Sequence, residues 1–178
     1  MQLGERIIVM GNSGSGKSTF ARQLGERFSL PVVHMDTIWW MPGWVSRPID
    51  EVYAMHAAAI AEPAWVLEGN FSAKPTQALD ERLARADCVI FIDINRLTCL
   101  YRACKRRVMF SRKTRPCMTE GCSERITWWL VKWIWGYPRR ARSGILAWLG
   151  EILPPKQVLH LKGQRAVKNF LRELDKNH

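Results

Sequence analysis

Acids are scarce in this chain, 16 against 27 lysines and arginines, and they are scarcest where bases are densest. From Arg102 to Arg142 only Glu120 and Glu124 stand among twelve Lys and Arg, so that segment carries +10 and the rest of the chain +1. A merely solvated helix interleaves the two signs. This segment hardly does, which points to a face that meets polyanions, whether ATP phosphates, a phosphorylated acceptor or nucleic acid. Long apolar runs are missing as well. None approaches the roughly 20 residues of a bilayer helix, and no apolar signal core precedes the first acid, so a cytoplasmic protein with no membrane partner is expected. Five cysteines (Cys88, Cys99, Cys104, Cys117, Cys122) form no CxxC pair, which argues against a disulfide framework or a four-thiolate zinc site. Repeats and low-complexity segments are absent. With 178 residues, 47% of them apolar, one domain spanning 1–178 is expected.

What is present begins with GNSGSGKST, Gly11 to Thr19, between a β-branched run (Ile7, Ile8, Val9) and a helix-period stretch (Phe20, Leu24, Phe28). The spacing GxxxxGKS puts glycines at Gly11, Gly14 and Gly16, where the backbone must curl with its N–H groups around phosphate oxygens. Ser13, Ser15 and Thr19 complete that cradle. Lys17 supplies a mobile cation and Ser18 a magnesium ligand, while the following helix aims its positive end at the same anion. This is the phosphate-binding P-loop, or Walker A motif. A Gly-Ser turn would leave Lys17 without a purpose.

Strands are expected at Arg6–Met10, Pro31–Met35, Trp65–Leu67, Cys88–Ile92 and Gln157–Leu161. Helices are expected at Lys17–Phe28, Ile49–Glu62, Thr76–Arg85, Arg96–Met109, Glu124–Trp135 and Arg139–Leu149, the last two separated by Gly136 and Pro138, with a basic helix at the C-terminus. The stretch IWWMPGWVSRP reads as an irregular binding loop. Continuous apolar strands alternating with helices specify a doubly covered parallel sheet, hence a three-layer α/β/α fold. Ligands of such sheets bind at the carboxyl ends of the strands, where the P-loop, Asp36, Glu68 to Asn70 and Asp93 converge.

No NKxD element and no DxxG switch after a strand are present, which argues against GTPases, and motor or transporter ATPases are larger. A small kinase remains, for which phosphoryl transfer demands positioning and charge neutralisation. Arg102 and Arg106 share one helix face. Arg112 and Arg115 follow in a short segment, flanked by Gly121, that could close over phosphates and exclude water.

On these residues the chain resembles the adenylate-kinase-like P-loop kinases, and within them the bacterial topology-modulation proteins (FlaR-like). The likeness runs through GNSGSGKSTFARQL, HMDTIWWMPGW, WVLEGNFS, RLARADCVIFID, LYRACKRR, TRPCMTEGCSER and WWLVKWIW. It implies the nucleoside-monophosphate-kinase fold with a five-stranded parallel sheet, an acceptor-binding region over 37–62, an arginine-bearing lid over 110–122, and ATP with Mg2+. By position, the resemblance makes Lys17 the β/γ-phosphate lysine, Ser18 and Glu68 the magnesium-side residues, Asp36 the acid facing the acceptor, Arg102 a nucleobase neighbour and Arg106 a phosphate ligand. Cys117 stands where the family's Arg-Pro-Asp run has its acid.

The acceptor side is read as Asp36, Trp44, Arg47, Asn70 and Arg82, with Lys17, Asp36, Arg106, Arg112 and Arg115 as the catalytic set. Trp39, Trp40 and Trp44 offer flat faces for stacking. Asp93 reads as a structural residue and His34 as a hydrogen-bonded core histidine. Trp128, Trp129, Trp133 and Trp135 span most of a helical wheel, which predicts exposed aromatic area and a homodimer contact. The function expected is an ATP-dependent phosphotransferase acting on a nucleotide or other small acceptor. The alternative is a nucleotide-gated DNA-binding regulator affecting DNA topology, drawn from the basic, tryptophan-bearing segment.

Overall fold

A computed structural model describes residues 3–70, 77–111, 113–152 and 154–176. The side chains of residues 77–79 lie outside that description, as does Arg112. Five parallel strands, β1 (Arg6–Gly11), β2 (Val32–His34), β5 (Trp65–Glu68), β6 (Cys88–Asp93) and β7 (Gln157–Lys162), form one sheet in the order β2-β5-β1-β6-β7. Ile7 pairs with Val66 on one side and Cys88 on the other. Each central strand is buried on both faces, because successive side chains enter different cores.

Ile7, Val9, Val66 and Ile90 pack with Phe20, Cys99, Ile134 and Phe170. These come from α1 (Lys17–Phe28), α5 (Arg96–Met109), α6 (Trp128–Tyr137) and α8 (Gly163–Lys176). Ile8, Met10, Leu67 and Phe91 pack on the opposite face with Ile38, Val52, Leu83 and Trp148. Those side chains belong to α2 (Met35–Trp39), α3 (Ile49–Ala61), α4 (Gln77–Arg85) and α7 (Ser143–Gly150). The three-layer α/β/α fold with a five-stranded parallel sheet is the one expected.

Two local expectations need correction. The aromatic stretch after β2 is ordered: α2 leads into an antiparallel pair, β3 (Trp40–Met41) and β4 (Val45–Ser46), joined by a 3-10 turn over Pro42–Trp44. Gly43 takes φ 79° in that turn, and Trp44 follows at φ 65°, a left-handed conformation unusual for an aromatic residue. The second correction concerns Pro138, which does not separate two helices. α6 starts at Trp128, where the Thr127 hydroxyl caps the Leu130 N–H at 3.1 Å. It then runs through a π turn, Pro138–Arg142, straight into α7. Proline removes an N–H and crowds the carbonyl four residues back, and a wider turn accommodates both effects.

Candidate active site

The strand-to-helix turn after β1 is shaped by glycine. Gly14 (φ 81°) and Gly16 (φ 95°) occupy left-handed conformations, and a Cβ on Gly14 would collide with the Cys99 carbonyl. No side chain caps the N-terminus of α1, so its first N–H groups face the loop. Asn70, one residue beyond the Gly69 turn that follows β5, accepts from the Gly11 N–H at 3.2 Å and donates to the Gly11 carbonyl at 2.9 Å. Two strand ends are thereby tied together.

Charge is arranged along this rim in pairs. Glu68, 1% exposed, accepts from His34 Nδ1 at 2.8 Å, and its Oε2 lies 3.7 Å from Lys17 Nζ. Burial pushes the Glu68 carboxyl up, but Lys17 and His34 outweigh it and hold it near 2. Oε2 has no hydrogen bond of its own. Arg106 donates to Glu124 at 2.7 Å. Arg115 donates to Asp36 at 2.8 Å and approaches the other oxygen of Glu124 at 3.7 Å. Glu124 is 3% exposed and Asp36 38%. Arg106 titrates below the ordinary guanidinium range, first because it is buried and then because Arg115 repels it. Arg102 meets no acid among the described residues; it donates to the Ser15 carbonyl at 2.8 Å. Lys17, Arg102, Arg106 and Arg115 thus outnumber Asp36, Glu68 and Glu124 by one positive charge, which suits a site for anions.

Two cavities flank this cluster. One, about 450 Å³, is bounded by the P-loop from Gly14 to Thr19, by Arg102 and Phe110, and by Cys117 and Lys168. The other, about 230 Å³, is bounded by Gly11, Ser13, Asp36, Asn70, Trp40, Trp44, Arg125, Trp129 and Trp133. Lys17, Arg106 and Arg115 line both. They stand on the wall between the two spaces.

The residues singled out in the sequence distribute unevenly. Lys17, Ser18, Arg102, Arg106, Arg115 and Asp36 gather on this rim, and Trp44 and Asn70 line the smaller cavity. Arg47 lines neither cavity, because it donates to the Ile38 carbonyl at 2.9 Å and pairs with Glu51 at 3.3 Å. Arg82 is fully buried and donates to the Gly69 carbonyl at 3.2 Å. Both support the backbone beside the site instead of opening into it. Arg112 lies outside the described residues. Asp93 is forked by Arg142 and bonded to His160, away from both cavities. The sequence reading missed Glu124, Arg125, Trp129 and Trp133. One signal was available: Trp129 and Trp133 lie four apart, on one helix face, and stack at 5.0 Å.

No family model matches the chain, and no curated protein matches it in sequence. Among solved structures, shikimate kinase from Acinetobacter baumannii, in complex with shikimate, matches with a TM-score of 0.54 and 16% identity. The match covers 98% of this chain and 92% of that one. The chain shares the fold of that kinase. The 450 Å³ cavity is built around the glycine-rich loop after β1, and the aromatic cavity is lined by Asp36, which follows β2, and by Asn70, which follows β5. No described helix is long and apolar enough to cross a membrane.

Proposed function

We propose that this protein binds ATP at the P-loop and transfers its γ-phosphoryl group to a hydroxyl of a small acceptor held in the aromatic cavity. The observation that carries the reading is the shared wall: Lys17, Arg106 and Arg115 face both cavities, where a group passing between them would develop charge. The acceptor oxygen attacks the γ-phosphorus, forming one P–O bond as the bond to the β-phosphate oxygen breaks, and ADP leaves with that electron pair. The hydroxyl proton passes to Asp36, whose carboxylate opens on the acceptor side. Arg106 and Arg115 exchange part of their contact with Glu124 and Asp36 for phosphoryl oxygens.

Magnesium fits the donor side: Ser18 offers a hydroxyl, and the buried Oε2 of Glu68 is an orphaned carboxylate oxygen suited to the ion's water shell. When bound, the ion would be held by Ser18 and, through its water shell, by Glu68, and would supply charge neutralisation for the phosphates. Glu68 stays ionised down to about pH 2, so this part of the site is unchanged across the neutral range. In this reading the chain works as a single kinase unit, with 37–62 and 110–122 as acceptor region and lid. Its motif likeness to topology-modulation proteins would place it among the small kinases. Trp128 and Trp135, 70% and 46% exposed, are where a second copy would dock; sedimentation as a monomer at micromolar concentration would remove that contact.

The test is ADP release measured against a panel of nucleotide and small hydroxylated acceptors. Lys17→Ala should lower turnover on the order of 10³-fold. Undiminished ADP production by that variant would defeat the assignment.

A further inference from the structure

At the carboxyl ends of β6 and β7 lies a third cavity, about 510 Å³, which shares no lining residue with the two described above. Asp93 and Lys162, paired in the sheet register, line it together with Arg96, Arg142, Asn12 and Gly163. Three cations meet one carboxylate there.

That carboxylate is already spent. The Asp93 side chain, 9% exposed, accepts from Arg142 Nε at 2.9 Å and from Arg142 Nη2 at 2.7 Å, and it is bonded to His160 Nε2 at 2.8 Å. The fork fixes the Arg142 guanidinium and leaves its Nη1 over. Arg96 is held over the Trp135 ring at 3.9 Å, and neither it nor Lys162 pairs with a carboxylate among the described residues. Gly163, at φ 82°, opens α8, whose first turn holds no acid, so the positive end of that helix adds to the same sign. The cavity therefore favours an anion.

Asn12 adds a second preference. It is 1% exposed, and its Nδ2 donates to the Ile134 carbonyl at 3.2 Å, which settles the orientation of the amide. Its Oδ1 has no partner. A carboxamide oxygen can only accept, so an anion entering here gains by carrying a proton on one oxygen.

We infer that this cavity is a site for inorganic phosphate in its hydrogen-bearing form. Arg96, Lys162, Arg142 Nη1 and the start of α8 meet the bare oxygens, and Asn12 Oδ1 accepts from the P–OH. Sulfate has the same shape without the proton, and a phosphate monoester has lost its proton above a second pKa of about 6. The site stands whether or not the chain transfers phosphoryl groups, because none of its residues takes part in that reaction.

Two-dimensional NMR of the full chain at about pH 8, where a monoester is fully ionised, follows the indole N–H of Trp135, assigned through Trp135→Phe. Inorganic phosphate is expected to shift that signal saturably at millimolar concentration, and sulfate and methyl phosphate to bind about tenfold more weakly. Lys162→Gln should weaken phosphate about tenfold, and Lys162→Arg should restore it. Lys17→Ala, on the glycine loop, should leave the titration unchanged. Absence of a saturable shift, or sulfate and methyl phosphate binding as tightly as phosphate, would overturn the site. A shift that Lys17→Ala abolishes and Lys162→Gln spares would place the anion on the glycine loop and overturn it equally. ADP release is judged separately, and its absence leaves the phosphate titration as it stands.

Discussion

The glycine-loop side and the aromatic side of this rim are built by different means. The first is one contiguous loop: Gly14 and Gly16 fix its backbone, α1 supplies N–H groups, and Arg102 braces it through the Ser15 carbonyl. The aromatic side is stitched together from α2 and its hairpin, the segment from Arg115 to Thr127, and α6. Thr119 Oγ1 donates to the Trp40 carbonyl at 2.6 Å, the Gly43 N–H reaches the Gly121 carbonyl at 3.4 Å, and Cys122 Sγ reaches the Met41 carbonyl at 3.2 Å. In the proposed function, triphosphate would be held by the backbone of one local loop, and acceptor choice would rest on side chains brought together from distant positions.

If that division is right, changes on one side should spare the other. Glu124→Ala leaves Arg106 and Arg115 buried without their shared counter-charge, which is expected to cost about 3 to 5 kcal/mol in urea unfolding. ATP affinity measured below the unfolding transition should change far less, since Lys17 and the loop do not touch Glu124. Loss of ATP binding in the folded variant would break the comparison.

A second probe is acid. Burial, and then the nearby Arg82 charge, hold His56 near 4 against an ordinary value of 6.5. Between those values the unfolded chain takes up a proton that the folded chain refuses, so stability falls as pH drops from about 6.5 to 4. The loss is on the order of 3 kcal/mol, and none of it is present above pH 6.5. His56→Leu should flatten that part of the stability-versus-pH curve; an unchanged slope would show that other groups cause it. Glu68 acts mainly at lower pH: held near 2 against an ordinary 4.5, its contribution is lost as pH falls from about 4.5 to 2.

The smallest effect is expected at the seam. Thr119→Val removes the hydroxyl that joins the 113–123 segment to the hairpin, at about 1 kcal/mol. Hydrogen exchange should then rise in both 37–46 and 113–123 together. A rise confined to one of them would mean that they move separately.

How much of this was legible in the sequence follows the same division. β1, the GxxxxGKS turn and α1 read directly, because apolar run, glycine spacing and helix period lie within thirty consecutive residues. The hairpin at Trp40–Ser46 was not legible, because two-residue strands carry no periodicity and its bonds run to residues some 80 positions away. Pro138 misled for the same reason: the π turn that absorbs it ends at Arg142, which reaches Asp93, 49 positions earlier. Arg82 and Arg47 have the charge of substrate ligands, yet their neighbours turned one into the core and the other onto a helix end.

By itself, then, the order of residues determined the parallel sheet, the glycine-rich turn after β1 and the excess of positive charge. Each depends on neighbours along the chain, through strand period, glycine φ and charge density. Only the tertiary structure decided that Glu124 would be the buried counter-ion of two arginines, that Trp129 and Trp133 would face Trp40 and Trp44 across a cavity, and that Lys17, Arg106 and Arg115 would share one wall. Those outcomes depend on which distant side chains meet, and burial and pairing energies act across space with no trace in local pattern.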